Sequence, residues 1–157
     1  MQRQVPSISA YAIVQRPTDE RFLIVERKSN GQKVFDLPGG ARILGEKMVE
    51  TVTRVVAEDL VMHFVPKHYI GFGYHLFDGI DGKRVCNLRS TFSGIVVNAD
   101  VSCTDSRRRT DSTARWMSIS ELVADRRQLH THDALVRLRE YVKGVRLSLD
   151  ICGEIDE

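Results

Sequence analysis

The sequence is poor in cysteine and has no cysteine pair of the kind that binds a metal or forms a redox centre. Its 157 residues include three cysteines, Cys86, Cys103 and Cys152, which is an odd number at wide spacing. A disulfide framework needs paired cysteines, and a zinc site needs them at short spacing. We therefore expect free thiols, which predicts a reducing, cytoplasmic location.

Long hydrophobic runs and an excess of one charge sign are also missing. No apolar stretch approaches the roughly 20 residues that cross a bilayer, and the N-terminus lacks the apolar centre of a signal peptide. The formal net charge is +2, with 42% hydrophobic and 28% charged residues. This composition argues against a membrane protein and, by charge alone, against a nucleic-acid-binding protein. It predicts one globular domain over 1–157, with a flexible tail from about residue 148.

The most informative stretch is 37–62, in which a glycine turn precedes an acidic helix. A Pro-Gly-Gly turn ending at Gly40 lets a backbone carbonyl approach a ligand closely. Apolar residues then recur at three- and four-residue steps, which predicts a helix over 48–62. Glu58 and Asp59 are adjacent carboxylates on this helix, able to flank one hard cation. Carbonyl and carboxylate oxygens are the ligands that Mg²⁺ and Mn²⁺ prefer, so the stretch predicts a metal site.

The spacing within this stretch resembles the Nudix box. That motif has a glycine, five residues, a glutamate and seven residues, followed by Arg-Glu-apolar-any-Glu-Glu-any-Gly-apolar. Three positions depart from it: Val55 replaces the glutamate after the arginine, Asp59 replaces the second paired glutamate, and Val61 replaces the late glycine. The matching positions are Gly40, Glu46, Arg54, Val56, Glu58 and Met62.

The resemblance implies a metal-dependent hydrolase of a nucleoside diphosphate linked to another moiety. Carried over by position, Glu58, Asp59 and the Gly40 carbonyl would hold Mg²⁺ or Mn²⁺, which neutralises diphosphate charge and activates water. Arg54 would act in catalysis by orienting the carboxylates, and it would pair with the earlier box glutamate. A solvated helix face is the alternative for Glu58 and Asp59. An ordinary i,i+4 ion pair with Glu50 is the alternative for Arg54.

Val55 is the serious departure, since a valine neither binds a metal nor acts as a base. Either the base comes from elsewhere, or hydrolysis has been lost. One branch of the family, the GDP-mannose mannosyl hydrolases, lacks this glutamate, attacks the sugar carbon, and takes its base from the loop before an Arg-Trp strand. Arg115 and Trp116 resemble that strand, and Asp111 lies in the corresponding loop, where that branch has histidine. Asp111 is therefore a candidate catalytic residue, and GDP-mannose is one candidate substrate.

Three further residues are candidates for substrate binding. Arg107 and Arg109 belong to an arginine run in a polar loop, which could grip phosphate or RNA or, as the alternative, be solvated. His75 lies in a strand that could line the substrate pocket, and the alternative role for it is that of a catalytic base. We expect a small-molecule nucleotide as partner, with a homodimer as one option for this family and no nucleic acid. A binding module without catalysis is the rival function, motivated by Val55 and Val61.

The order of predicted elements completes the fold prediction. Strands are expected at 7–15 and 21–27, paired as a hairpin, followed by a loop at 28–33. Gly71 and Gly73 inside a later strand predict a bulge or a close approach of another backbone. Strands on both sides of one acidic helix, with helices at the end, predict an α/β/α sandwich with a mixed sheet, which resembles the Nudix fold. The remaining strands are expected at 34–37, 65–77, 85–98 and 114–117, and further helices at 118–125 and 132–143.

Overall fold

The structure of the protein is a computed structural model, whose elements follow the predicted order with two additions. Gly39 and Gly40, predicted as part of a turn, begin a short strand that pairs with the first strand, and a short 3-10 helix follows the last predicted helix. The helices are α1 (Met48–Leu60), α2 (Ile119–Ala124) and α3 (His132–Val142), and a 3-10 helix follows at Leu149–Cys152. The strands are β1 (Ser7–Val14), β2 (Phe22–Ser29), β3 (Gln32–Asp36), β4 (Gly39–Ala41), β5 (His63–Asp78), β6 (Arg84–Val97) and β7 (Thr113–Met117). The structure describes residues 6–29, 31–78, 82–97, 113–125, 129–130 and 132–152. None of the helices in these ranges has the length and apolar character that a membrane crossing requires.

The strands are divided between two sheets. One sheet has the order β4-β1-β6-β5, in which β1 and β6 are parallel and the other pairs are antiparallel. The second sheet is antiparallel, with β2 between β3 and β7. Helix α1 packs on one side of these strands, and α2 and α3 pack on the other. The predicted α/β/α sandwich with a mixed sheet is therefore confirmed.

The predicted hairpin between the first two strands is wrong. In the described residues one isolated bridge, between Gln15 and Phe22, joins β1 to β2. The turn closes with a hydrogen bond from the Arg16 N–H to the Arg21 carbonyl at 2.7 Å, and the strands then enter different sheets. Instead β1 lies between β4 and β6, and β2 lies between β3 and β7, so both edges of each strand are occupied by other strands. The helices on the two sides bury most side chains of both strands.

The predicted loop at 28–33 is wrong in its length. Ser29 pairs with Gln32, so β2 and β3 form a hairpin with two residues between them. The sequence at those two positions is Asn-Gly, the pair most typical of tight hairpin turns, which require positive φ. Gly31 accordingly has φ +76°.

Two apolar clusters on opposite faces hold the layers together. Side chains of β1 alternate between them: Ala10 and Ala12 pack on the side of α1, whereas Tyr11 and Ile13 pack on the side of α2 and α3. Full burial of one large apolar side chain stabilises a fold by about 1.5–3 kcal/mol, so these clusters decide where the helices lie. The helices contribute Val52, Val56 and Leu60 from α1, Leu122 from α2, and Ala134 and Leu138 from α3.

Strands β5 and β6 form a long antiparallel hairpin. Its pairing shifts between Tyr69 and Gly71, which confirms the irregularity predicted at this glycine. A Cβ at Gly73 would overlap the carboxylate of Asp133. Glycine at this position therefore leaves room for a side chain from the first turn of α3, whereas the sequence predicted a bulge or the close approach of another backbone.

Helix α1 ends in a strained residue. Val61 caps the helix in the left-handed conformation, with φ 54° and ψ 32°. Its N–H donates to the Ala57 carbonyl at 3.0 Å. Glycine is the residue usually found at such a cap, because a Cβ in this conformation crowds the following carbonyl. Val61 is 72% exposed and gains little packing in return. The helix end thus explains why the Nudix box has a glycine at the position that Val61 occupies here.

Val61→Gly is expected to stabilise the protein by about 1 kcal/mol, because it removes the left-handed strain and exposes little apolar surface. Urea unfolding followed by circular dichroism measures the change. Val142→Gly, at the 59% exposed last residue of α3, is the matched control. It should destabilise the protein, because glycine there weakens a helix without relieving strain. A Val61→Gly variant less stable than the wild type would contradict the strained cap.

Candidate active site

Arg54 joins helix α1 to the loop that precedes it. Its Nε donates to Glu46 Oε1 at 2.5 Å and its Nη2 to Glu46 Oε2 at 3.0 Å, a two-point pairing. Nη2 also donates to the Ala41 carbonyl at 2.9 Å, and Nη1 donates to Glu58 Oε2 at 3.0 Å. The contact expected between Arg54 and the earlier box glutamate is therefore present. Glu50, the alternative partner, instead accepts a backbone hydrogen bond at the start of the helix.

Glu46 is the anion at the centre of this loop. Besides the bonds from Arg54, its carboxylate accepts hydrogen bonds from the Ile43 N–H at 3.1 Å and from the Thr51 hydroxyl at 2.9 Å. The hydrogen bond from Arg54 lowers the pKa of Glu46 from 4.5 to about 2, and the bonds from Ile43 and Thr51 act in the same direction. Glu46 therefore remains charged, and the loop remains paired, down to strongly acidic solution.

Glu46→Gln is expected to flatten the acid dependence of stability. A carboxylate whose pKa falls on folding contributes stability above its unfolded pKa and loses it as the pH falls through its folded pKa. For Glu46 that contribution should be complete above about pH 4.5 and vanish towards about pH 2. Urea unfolding across this range should show a steeper loss for the wild type and for the exposed-turn control Glu20→Gln. An equal slope in Glu46→Gln would contradict the prediction.

A second guanidinium lies between the glycine turn and the end of α1. Arg27 Nη2 donates to the Gly39 carbonyl at 2.6 Å and to Asp59 Oδ2 at 3.0 Å. One nitrogen thus has a backbone carbonyl and a carboxylate as acceptors, which are the kinds of ligand that the sequence predicted for a metal. The sequence reasoning missed Arg27, because a charged residue near the end of an apolar strand usually points into solvent.

Both glycines of the turn allow a close approach. A Cβ at Gly39 would overlap the backbone of β1, and a Cβ at Gly40 would lie 3.2 Å from Val55 Cγ1. The carbonyl that accepts from Arg27 together with Asp59 is that of Gly39. It lies one residue before Gly40, whose carbonyl the sequence predicted as a metal ligand. Gly40 as a metal ligand stays a prediction, and the observed contacts add Gly39 as a candidate.

The oxygen atoms around Arg27 fit an ion of the magnesium type. Asp59 and the Gly39 carbonyl already converge on a positive group. Glu58, the preceding residue on α1, is 47% exposed and pairs with Arg54. Within the described residues, no three His, Cys, Asp or Glu side chains lie close enough together to hold a metal. Mg²⁺ suits such a sparse site, because it keeps several waters and completes its shell with substrate phosphates.

Val55 leaves this site with one carboxylate fewer than the Nudix box supplies. The side chain is 5% exposed and packs against Gly40. It precedes Glu58 and Asp59 by three and four residues, so it shares their face of α1. The valine therefore takes part in the contact between helix and turn rather than in metal binding.

A separate pocket opens between β5 and the start of α3. The rings of His75 and His130 meet edge to face, with centroids 5.1 Å apart and planes at 73°. Burial lowers the pKa of both imidazoles, and the nearby positive charge of Arg89 acts in the same direction, so both are neutral at neutral pH. The pocket has a volume of about 390 Å³ and is lined by Tyr74, His75, Leu76, Leu129, His130, His132 and Asp133.

Three of the predicted site residues lie outside the described part of the chain. They are Arg107, Arg109 and Asp111, from the polar loop before β7. The substrate-binding role of the two arginines and the catalytic role of Asp111 stay predictions.

Known proteins resemble this chain over nearly its whole length. No protein-family profile matches it. The phosphatase NudJ of Escherichia coli K12 is 23% identical over 152 residues, which cover 96% of this chain and 93% of NudJ. The structure of a NUDIX hydrolase from Nitrosomonas europaea is 27% identical, with a TM-score of 0.79, and the match covers 96% of this chain and 97% of that one. The MutT protein from Methanosarcina mazei Go1, 23% identical with a TM-score of 0.68 over 91% of this chain and 98% of its own, shares the fold.

The chain belongs to the Nudix hydrolase superfamily. The box spacing, the sandwich fold and the end-to-end likeness to a NUDIX hydrolase structure agree, and they confirm the resemblance seen in the sequence. Membership implies a hydrolase that acts on small-molecule derivatives of nucleoside diphosphates. Enzymes of this superfamily generally use a divalent metal.

Proposed function

We propose that the protein is a divalent-metal-dependent hydrolase of a nucleoside diphosphate linked to another moiety. The observation that carries this proposal is the convergence of the Gly39 carbonyl and Asp59 Oδ2 on Arg27 Nη2, at 2.6 Å and 3.0 Å. These oxygens are placed to hold positive charge, which a diphosphate requires beside it. Mg²⁺ or Mn²⁺ held by Asp59, Glu58 and a glycine carbonyl would neutralise the diphosphate and lower the pKa of a bound water.

The protein's own side chains would position this chemistry. Arg54 holds the Glu58 carboxylate at 3.0 Å and ties it to the loop, which restricts its orientation. Arg27 supplies a permanent cation at the turn, and its planar guanidinium suits a phosphate oxygen. For the base that accepts the proton of the attacking water we propose Asp111, with attack at phosphorus or at a sugar carbon.

The pocket of His75 and His130 is our candidate site for the nucleoside end of the substrate. Neutral imidazoles offer flat faces together with one hydrogen-bond donor and one acceptor each, which suits a nucleobase. The pocket also contacts the strand that leads into the glycine turn. The N–H of His130, which lines the pocket, donates to the carbonyl of Phe35 at 2.8 Å. Arg107 and Arg109 are proposed for the phosphates. GDP-mannose is one candidate substrate, and a homodimer is our proposal for the assembly, to be tested by analytical ultracentrifugation.

Glu58→Gln and Asp59→Asn are each expected to lower kcat/KM by about 100-fold or more, because each removes a charge proposed to hold the metal. The assay follows hydrolysis of nucleotide sugars, including GDP-mannose, and of other diphosphate derivatives with Mg²⁺, Mn²⁺ or EDTA. Glu50→Gln on the same helix is the control, since glutamine retains the hydrogen bond at the helix start. Wild-type rates in both site variants would rule out the site, and an inactive wild type would rule out the function.

Arg27→Gln is expected to lower kcat/KM by about tenfold, because the diphosphate loses a fixed positive neighbour. The same change should tighten Mn²⁺ binding in isothermal titration calorimetry, since the ion no longer competes with a guanidinium for Asp59. Lys28→Gln, at the exposed next position, is the matched control. Unchanged Mn²⁺ affinity in Arg27→Gln would show that the metal does not use these oxygens.

A nucleotide-binding module without turnover is the second candidate function. Val55, buried against Gly40, favours it because the site lacks the carboxylate that the box would supply there. Val61 gives no support to this alternative, since its position is explained by the helix cap. A rise in melting temperature with a nucleotide that is never hydrolysed would favour the binding module over the hydrolase.

A further inference from the structure

A chain of charges of alternating sign runs through the interior between the glycine turn and α3. Arg89 Nη2 donates to Asp36 Oδ1 at 2.6 Å, and Arg89 Nε lies 3.6 Å from Asp133 Oδ2. Arg137 Nε donates to Asp133 at 3.2 Å, and Arg137 Nη1 donates to Glu140 at 2.6 Å. The series leads from the buried Asp36 to the partly exposed Glu140, and each member has a neighbour of opposite charge.

Arg89 is the buried centre of this series. Its side chain is 1% exposed, and the side chains of Asp36 and Asp133 are 2% and 8% exposed. The guanidinium lies over the ring of Tyr11 at 3.6 Å. Its Nη1 has no hydrogen-bond partner among the described residues. A buried guanidinium needs nearby negative charge, so its position depends on both aspartates.

Asp36 connects this network to the glycine turn. The same Oδ1 atom that accepts from Arg89 also accepts from the Leu37 N–H at 2.8 Å. Leu37 is followed by Pro38 and then by Gly39, whose carbonyl is a candidate metal ligand. Proline fixes its own φ and restricts the residue before it, which leaves few free backbone torsions between Leu37 and Gly39.

Asp133 connects the network to the pocket. It lies in the first turn of α3 and lines the pocket together with His75 and His130. Gly73 of β5 leaves room for its carboxylate. The ion pair with Arg89 therefore holds the start of α3, and one wall of the pocket, against the sheet.

We propose that Arg89 is a positioning residue for both ends of the substrate site. Through Asp36 it orients the glycine turn, and through Asp133 it places the wall of the nucleoside pocket. This assignment rests on the proposed function, which puts the diphosphate at the turn and the nucleoside in the pocket. Stability alone is a weak reason for such a network, because the desolvation of buried charges offsets much of their attraction.

Steady-state kinetics should separate the two roles. Asp133→Asn is expected to raise KM about fivefold with kcat within about twofold, because it loosens the pocket and leaves the contact between Arg89 and Asp36. Asp36→Asn is expected to lower kcat about tenfold with KM within about threefold, because it loosens the turn. Arg89→Met should change both constants, and Arg89→Lys should restore part of each by keeping the charge. Glu140→Gln, at the partly exposed end of the series, is the control and should match the wild type.

Amide NMR spectra with titrations of AMP, GMP, CMP and UMP give a second measurement that needs no turnover. Asp133→Asn should weaken nucleotide binding and leave the Gly39 signal in place, whereas Asp36→Asn should shift the Gly39 signal and leave binding intact. Arg89→Met should do both. If the wild type hydrolyses nothing, the proposed function fails, and these spectra alone decide the role of Arg89. Proportional changes of kcat and KM in the two asparagine variants, or lower stability with wild-type kinetics and spectra, would overturn the proposal.

Discussion

The close contact between the glycine turn and helix α1 is the constraint on which the site depends. Gly40 lies against Val55, where a Cβ would be only 3.2 Å from Val55 Cγ1, and Arg54 closes the contact through its bonds to Glu46 and the Ala41 carbonyl. Because the bond from Arg54 keeps the pKa of Glu46 low, this connection persists at all ordinary pH values. The last turn of the helix is thereby held where Asp59 shares Arg27 with the Gly39 carbonyl and Glu58 pairs with Arg54.

The site is organised by fixed positive charges as much as by its acids. Arg54 restrains Glu58, and Arg27 lies between Asp59 and the Gly39 carbonyl. Superfamily members generally rely on a divalent metal, and this chain has a guanidinium between the two oxygens that we propose as metal ligands. Because Val55 replaces a carboxylate of the box, the main chemical question for this enzyme is how the neutralisation of the diphosphate is divided between Arg27 and a metal. Arg89 is a further fixed positive charge, in the interior of the protein. One of its two aspartates, Asp36, adjoins the glycine turn, and the other, Asp133, lines the pocket.

Sequence reasoning succeeded where one local pattern had one physical outcome. The helix over 48–62 was predicted from its apolar periodicity, and the box spacing correctly indicated the superfamily. It failed for the hairpin of β1 and β2, because adjacent apolar strands carry no signal that tells a hairpin from two separate sheets. It also missed Arg27 and Arg89, since a single charged residue in a strand has no spacing pattern, and its burial and partners depend on distant segments.

The residues alone were enough to predict most of the element order and the superfamily, and the resemblance to the Nudix box implied the pairing of Arg54 with Glu46, because the box lies within one short stretch of the chain. Only the tertiary structure decided which glycine carbonyl faces Asp59 and that Val61 strains a helix end. It also decided that Arg89 lies between Asp36, which is 53 positions earlier in the chain, and Asp133, which lies on α3. The physical reason is that these contacts join residues from different elements, whose distances are set by the packing of the two apolar clusters and not by local spacing.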